Sequence, residues 1–301
     1  MSSLVELKAE ITDELVETLS DYFLETESEY WLIMQGEIQD PYFVCGIFPD
    51  SITATEALTV LRREFPNLPN KFEKNLVADA DWKNAYKQYI KPWNIRQLHW
   101  IPLWQQSHYE APEGSTVVYI DAGMAFGTGA HETTRLCARR LLDYIDAHPS
   151  VIFNRTLIDA GCGSGVLALS GAALGFGNVY AFDCDPKAIL VCQDNCTENA
   201  HINAPNFTVA ELEKGCSNCT PGDLVLANIQ TDVLLSHSTH LVKSLKNSGT
   251  LILSGILTEE KNLVYQHYNE QFKTLRSNLT VSTDSRIDGE WSDIKFTLFN
   301  Q

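Results

Sequence analysis

The chain has 301 residues and a formal net charge of −17 at pH 7, and 44% of its residues are hydrophobic. This length predicts about two globular domains. We find no apolar run of the roughly 20 residues that a membrane-spanning helix requires, so we expect a soluble protein. A charge this negative opposes binding to the phosphate backbone of nucleic acids and favours a basic protein partner.

The N-terminus, residues 1–6, contains neither a basic segment nor an apolar stretch, so we expect no export and a cytoplasmic location. In that compartment the eight cysteines remain reduced thiols. Four of them superficially resemble a zinc set: Cys192, Cys196, Cys216 and Cys219. Because the first two are spaced by one turn of a predicted helix rather than as a zinc knuckle, we expect no metal site.

Residues 1–80 are predicted to form a small α+β domain with the ferredoxin-like order β-α-β-β-α-β. The predicted elements are strand 5–7, helix 13–24, strands 29–34 and 42–48, helix 53–65 and strand 72–77. This scaffold supports many functions, so only its charge is informative. Residues 1–50 contain twelve acidic residues and one basic residue, Lys8. Solubility and attraction of a basic partner both explain that excess.

Residues 81–104 are predicted to link the two domains. A short helix over 81–91 would end before Pro92, and an apolar strand follows over 97–104. Tryptophans can stack on nucleobases, but here they lack accompanying basic residues, so we expect them to pack at a domain junction. The tryptophans concerned are Trp82, Trp93, Trp100 and Trp104.

The second domain is predicted over residues 105–301, where apolar strands alternate with helices. This alternation predicts a doubly wound, mostly parallel α/β sheet that binds ligands at the carboxyl ends of its strands. The predicted elements are strand 116–120, helix 132–145, strand 157–158, helix 164–174, strand 179–182, helix 186–199, strands 207–210 and 223–227, helix 232–245, strand 249–254, helix 258–275 and an antiparallel pair over 279–283 and 294–299.

A loop with three glycines leads from the first of these strands into the helix over 132–145. Its backbone N–H groups and the helix N-terminus would face one place, where an anionic group of a ligand is expected. The hydroxyl of Thr133 or Thr134 would be an additional donor. His131 could act as a general base, but a histidine at a helix start more often organises hydrogen bonds.

A second glycine-rich turn follows the strand over 157–158, with the sequence D-A-G-C-G-S-G from Asp159 to Gly165. Glycines at alternate positions allow the backbone to approach a ligand closely. A dinucleotide fingerprint requires a small residue where Val166 stands. The pattern D-x-G-x-G-x-G therefore indicates S-adenosylmethionine (SAM), whose methionine carboxylate is a candidate for the anion site before helix 132–145.

The ends of the next strands carry polar residues that fit such a ligand. Asp183 follows Gly161 by about 22 residues and can accept both ribose hydroxyls, as the acid after the second strand does in nucleotide-binding sheets. Asn228 ends the strand over 223–227. Since Asp159, Asp183 and Asn228 all fall at carboxyl ends, we expect them to converge. The alternative, a glycine turn with an ordinary helix-capping acid at Asp185, explains only one of these signals.

Four motifs together resemble the PrmA-type ribosomal protein methyltransferases: GTGxHxTT at 127–134, DxGxGxG at 159–165, the acid Asp183 and ANI at 227–229. The resemblance covers nearly the whole chain. It implies a class I SAM-dependent methyltransferase with a seven-stranded sheet and a ferredoxin-like substrate-recognition domain. It also implies a basic substrate, the large-subunit ribosomal protein numbered eleven, which is methylated on lysine or N-terminal amines.

By this resemblance the SAM contacts carry over onto Thr134, Gly161, Asp183 and Asn228, and Asn228 is the candidate catalytic residue. Gly127, Thr133 and Gly163 of these motifs, and Phe126 directly before the first of them, are further candidate cofactor residues. The chain departs from the family pattern at Ala122, and at Gln230 and Thr231 after the asparagine. A methyltransferase of small molecules or nucleic acids, and a SAM-binding protein without catalysis, are the alternative functions.

Overall fold

A computed structural model of the chain describes residues 3–26, 28, 30–35, 41–78, 91–121 and 131–300. The chain divides into two compact units, residues 1–91 and 92–301. Among the described helices, none combines the length and apolar character that a membrane span requires. The helix predicted up to residue 91 lies, except for Lys91 itself, outside the described residues.

The first unit contains a four-stranded antiparallel sheet in the order β2-β3-β1-β4, which confirms the predicted ferredoxin-like order. Its elements are β1 (Ser3–Ile11), α1 (Asp13–Glu25), β2 (Trp31–Gln35), β3 (Tyr42–Phe48), α2 (Ser51–Glu64) and β4 (Glu73–Ala78). β1 is longer than the predicted strand over 5–7, because burial on alternate residues continues through Ala9 and Ile11.

The second unit contains a seven-stranded sheet in the order β10-β9-β8-β11-β12-β14-β13 and a three-stranded sheet in the order β5-β6-β7. Its strands are β5 (Trp93–Ile95), β6 (Leu98–Pro102), β7 (Thr116–Ile120), β8 (Thr156–Ala160), β9 (Asn178–Asp183), β10 (Asn206–Val209), β11 (Gly222–Asn228), β12 (Leu245–Leu257), β13 (Leu279–Asp288) and β14 (Trp291–Asn300). Its α-helices are α3 (Glu132–Ala147), α4 (Val166–Ala173), α5 (Pro186–Glu198), α6 (Leu212–Asn218), α7 (Thr231–Ser236), α8 (Ser238–Lys243) and α9 (Lys261–Leu275).

Five neighbouring strands of the large sheet, from β10 to β12, are parallel, and β14 and β13 complete it in antiparallel pairing. The doubly wound, mostly parallel α/β fold predicted from the sequence is confirmed. Successive residues of a strand point to opposite faces. Leu157 therefore packs in the cluster with α3, α4 and α5, whereas Ile158 packs in the cluster with α6 to α9.

One predicted detail of the second unit is wrong. The continuous helix over 232–245 is divided into α7 and α8 at His237, whose φ of −104° and ψ of 10° interrupt the helical geometry. Within this unit Trp93 and Trp100 stack on each other at 3.8 Å, and Trp100 Nε1 donates to Ser170 Oγ at 2.8 Å. A buried indole N–H needs such a partner, and Trp82 lies outside the described residues.

Candidate cofactor and active site

The carboxyl ends of four neighbouring strands form one edge of the large sheet. The strand registers place Ala160 of β8 beside Phe182 of β9 and Ala227 of β11, and Asn228 beside Ser254 of β12. Asp159, Asp183 and Asn228 therefore end adjacent strands, as the sequence predicted. We call this edge, with the turns that follow it, the carboxyl edge.

The glycine turn after β8 is folded tightly against its neighbours. Gly161 has a φ of +75°, and a Cβ added there would lie 2.5 Å from Cγ2 of Ile229. Gly163 has a φ of +52° and donates its N–H to Oδ2 of Asp183 at 2.9 Å. Only glycine adopts this conformation without strain and leaves this space. The turn thus runs between the acid that ends β9 and the segment after Asn228.

Asp183 is oriented by backbone groups. Its Oδ1 accepts from the N–H of Asp185 at 3.0 Å, and its Oδ2 accepts from Gly163. Because each carboxylate oxygen has a second lone pair, the half-buried group retains the capacity to accept two further hydrogen bonds from a ligand. Asp185 caps α5 by accepting from Lys187 N at 2.8 Å. Helix capping is therefore the role of Asp185, and the Asp183 carboxylate is not needed for it.

Asp159 has a different role from the one its position suggested. Its side chain is buried, and Oδ2 accepts from the N–H of Ala168 in the first turn of α4 at 2.9 Å. Burial raises the pKa of this carboxyl to about 7, and the Ala168 hydrogen bond opposes that rise only in part. Asp159, which lies just before the glycine turn, therefore binds the first turn of α4 through this hydrogen bond.

The start of α3 meets the carboxyl edge. Thr133 and Thr134 are both buried. Asn228 Nδ2 donates to Thr134 Oγ1 at 3.3 Å, and Ser254 Oγ donates to the Thr133 carbonyl at 3.0 Å. The predicted residues Thr133, Thr134 and Asn228 are thus brought together. Ser254 was missed, although its place at the end of a parallel strand was a usable signal.

His131 caps α3. Its Nδ1 accepts from the N–H of Thr133 at 3.3 Å and lies 2.9 Å from Thr133 Oγ1, and its ring contacts Trp291 edge-on at 5.2 Å between centroids. Burial lowers the pKa of the imidazole, and the nearby Glu132 opposes this shift. A neutral imidazole whose Nδ1 is engaged with the helix backbone organises hydrogen bonds, as the sequence predicted.

Three positions singled out in the sequence, Ala122, Phe126 and Gly127, lie outside the described residues. Of the two departures after Asn228, Gln230 is exposed, whereas Thr231 is buried and donates to Glu260 Oε2 at 2.6 Å. Thr231 therefore fastens the start of α7 to the residue preceding α9.

The residues of this edge fit SAM. Asp183 offers carboxylate oxygens of the kind that bind ribose hydroxyls. The glycine turn has no side chains at Gly161 and Gly163, so a ligand can approach its backbone. The N-terminus of α3 carries the partial positive charge that suits a carboxylate. Among the described residues no cluster of His, Cys, Asp and Glu has a geometry suited to a metal ion.

A model of the family described as ribosomal protein L11 methyltransferase (PrmA) matches residues 5–296. Curated relatives with that name include one from Thermoanaerobacter pseudethanolicus, 32% identical over 260 residues, which covers 83% of this chain and 78% of the relative. Another, from Pelotomaculum thermopropionicum, is 38% identical over 210 residues, which covers 69% of this chain and 65% of the relative.

Among solved structures, a ribosomal protein L11 methylase from Lactobacillus delbrueckii subsp. bulgaricus superposes with a TM-score of 0.58 at 24% identity. The match covers 69% of this chain and 98% of that one, and it concerns the fold. The class I SAM-dependent methyltransferase fold and the SAM cofactor predicted from the sequence are confirmed. The chain belongs to the PrmA family of ribosomal protein L11 methyltransferases.

Proposed function

We propose that this protein transfers methyl groups from SAM to lysine or N-terminal amines of ribosomal protein L11. The observation that carries the proposal is that one family match spans residues 5–296 and so includes both compact units. The relatives in this family are named for L11. The carboxyl edge supports the proposal because its residues suit a nucleoside with an amino-acid tail.

In this proposal SAM contacts three described parts of the carboxyl edge. Asp183 accepts the ribose hydroxyls, and the backbone of Gly161 and Gly163 lies against the nucleoside. Thr133 and Thr134, at the N-terminus of α3, hold the carboxylate, and Phe126 and Gly127 of the preceding loop complete the set. When bound, SAM supplies a methyl group already activated on a sulfonium.

Asn228 is the proposed catalytic residue. Since its Nδ2 donates to Thr134 Oγ1, its Oδ1 is the acceptor that remains to orient an incoming amine. A lysine with a pKa of about 10.4 is almost fully protonated at pH 7, so the site must favour the neutral amine through desolvation and such acceptors. The neutral amine that Asn228 orients would accept the methyl group that bound SAM supplies, and the amine proton would pass to solvent. Positioning within about 3–3.5 Å is the main contribution of the protein.

The first unit is proposed to recognise the substrate. Residues 1–50 contain twelve acidic residues and one basic residue, a charge that would steer a basic ribosomal protein. Such steering weakens as salt shortens the screening length from about 10 Å at 0.1 M to about 3 Å at 1 M. Association with L11 should therefore slow as salt rises, whereas SAM affinity should change little.

Charge reversals within the full chain test this role. The triple variant Glu10→Lys, Asp13→Lys, Glu14→Lys changes exposed acids of the first unit and should raise KM for L11 while leaving KM for SAM unchanged. Glu56→Lys, an exposed reversal on α2 of the same unit, is the control and should have a smaller effect. Equal KM values for L11 in the triple variant and the wild type would mean that the acidic residues of the first unit serve solubility and not substrate recognition.

The function itself is tested by mass spectrometry of purified L11 incubated with SAM and the protein. We expect mass increases of about 14 Da per methyl group on amines, and none with an Asn228→Ala variant that still binds SAM. Unmodified L11 would refute the proposed substrate. Methylation of RNA or of small molecules supplied in place of L11 would support another methyltransferase class, and SAM binding without product on any of these substrates would indicate a binder.

A further inference from the structure

Two asparagines at the C-terminal end of α5 are completely buried, Asn195 in the last turn and Asn199 as the C-cap. Asn195 and Asn199, about one turn apart, are 1% and 0% exposed. They face β7, which in the described residues belongs to the three-stranded sheet and does not pair with the large sheet. Buried amides need hydrogen-bond partners, and both asparagines find them on the backbone at the end of β7.

Asn199 binds β7 as a neighbouring strand would. Its Oδ1 accepts from the N–H of Tyr119 at 2.9 Å, and its Nδ2 donates to the Tyr119 carbonyl at 2.7 Å. Nδ2 also lies 2.8 Å from the Asn195 carbonyl within the same helix. These contacts satisfy backbone groups that lack a strand partner on that side, which is a structural role.

Asn195 connects two different loops. Its Oδ1 accepts from the N–H of Asp121 at 2.8 Å, and its Nδ2 donates to the carbonyl of Ser164 at 3.0 Å. Asp121 directly precedes the glycine loop that leads to α3, and Ser164 lies inside the second glycine turn. A primary amide is the short side chain that can accept on one atom and donate from the other at once.

The rest of α5 contacts the same turn. Cys192 Sγ lies 3.1 Å from the Gly163 carbonyl and 3.7 Å from Cys162 Sγ. The helix begins at Pro186, shortly after Asp183, the proposed ribose acceptor. One rigid helix therefore connects the acid, the glycine turn and the start of the α3 loop.

We propose that Asn195 is a positioning residue for SAM, which fixes Asp121, the residue before the first glycine loop, relative to Ser164 in the second. This inference rests on the proposed function, because it assumes that both loops contact SAM. Loss of the amide removes the link between the Asp121 N–H and the Ser164 carbonyl, so the side chain at 195 no longer fixes their separation. Displacements of about 1 Å in a binding site are sufficient to lower rates by about a hundredfold.

The test compares Asn195→Ala and Asn195→Asp with the matched control Asn199→Ala in the full chain. Asn195→Asp keeps the acceptor for Asp121 but places a carboxylate against the Ser164 carbonyl. Each alanine variant releases buried backbone groups, so the two should lose similar thermal stability. Only the Asn195 variants should bind SAM at least about tenfold more weakly, measured by calorimetry well below their melting temperatures.

Unchanged SAM affinity in Asn195→Ala, or an equal loss in Asn199→Ala, would overturn the inference. A measurement on the wild type keeps it testable if the variants do not fold: SAM should slow hydrogen exchange of the Asp121 amide more than that of the Tyr119 amide. Equal effects on both amides would contradict the proposed coupling. Failure of the wild type to bind SAM would instead refute the proposed function.

Discussion

The two edges of the large sheet hold their carboxylates by opposite means. At the amino edge, Asp223 at the start of β11 is 3% exposed in its side chain and accepts from Arg155 Nη1 and Lys246 Nζ, both at 2.6 Å, and from Thr156 N at 2.8 Å. At the carboxyl edge, Asp159 and Asp183 accept from backbone N–H groups, and in the described part of the chain no cation pairs with either.

This difference separates a structural site from the proposed binding site. Burial raises the pKa of Asp223, but the hydrogen bonds from Lys246, Thr156 and Arg155 outweigh it and hold the pKa below its usual value. The buried Asp159 has one hydrogen-bond donor among the described residues, Ala168 N–H, so burial prevails and its pKa is raised to about 7. Cations neutralise the amino edge, whereas the carboxyl edge retains acceptors for the hydroxyl groups of a ligand.

Breaking the amino edge should have the largest effect on stability. Asp223→Ala leaves Arg155 and Lys246 without their shared carboxylate and the buried Thr156 N–H without an acceptor. We expect a loss of about 3 kcal/mol, less than for a fully buried pair because both cations reach solvent. Thermal unfolding should show a melting temperature lower by several degrees, with SAM affinity unchanged.

The pH dependence of the stability loss in Asp223→Ala tests whether the charge of Asp223 causes it. Because the folded pKa of Asp223 lies below the unfolded value, its stabilisation is present above about pH 4 and decreases as pH falls through the folded pKa. The stability difference between wild type and Asp223→Ala should therefore shrink in acid. A difference that stays constant down to pH 2 would mean that packing, not charge, stabilises this edge.

Asp159→Asn should give an effect of the opposite sign. A carboxyl whose folded pKa is raised stabilises the protein fully below the unfolded pKa of about 4, and this stabilisation is lost as pH rises to about 7. The asparagine retains an acceptor for Ala168 N–H and cannot ionise. Relative to wild type, the variant should gain stability as pH rises from 4 to 7, measured by urea unfolding. Parallel pH profiles would show that Asp159 ionises normally.

Ser254→Ala should have the smallest effect. It removes one buried hydrogen bond, from Oγ to the Thr133 carbonyl, and should cost about 1 kcal/mol of stability. Because Thr133 opens α3, we also expect a modest rise in KM for SAM in steady-state assays. Ser254→Thr, which keeps the hydroxyl, is the control. A larger stability loss than in Asp223→Ala would reverse the proposed ranking of the two edges.

The sequence predicted the carboxyl edge better than the amino edge for a physical reason. The glycine turn and Asp183 are local signals, since turn geometry and strand ends are encoded within a few residues. Asp223 depends on Arg155, 68 positions away. Asn195 depends on Asp121, 74 positions away. Such pairings are set by topology, and polar residues on a predicted helix give no local sign of them.

Local ambiguity explains the remaining differences. β1 was predicted too short because Lys8 and Glu10 on its other face diluted the apolar pattern. The helix break at His237 could not be predicted, because no glycine or proline lies at that position. α6 was not predicted at all, since only Gly215 and Cys216 of its residues are buried and its sequence otherwise resembles a polar loop.

The central claim is that SAM is bound at the carboxyl edge, and calorimetric titration of SAM into wild type, Asp183→Ala and Asp223→Ala tests it most directly. Loss of the Asp183 carboxylate should cost about 1.5 to 3 kcal/mol of binding free energy, a tenfold to hundredfold weaker affinity. Asp223→Ala should bind SAM as the wild type does at temperatures where it is folded. Unchanged affinity in Asp183→Ala, or an equal loss in Asp223→Ala, would contradict the account.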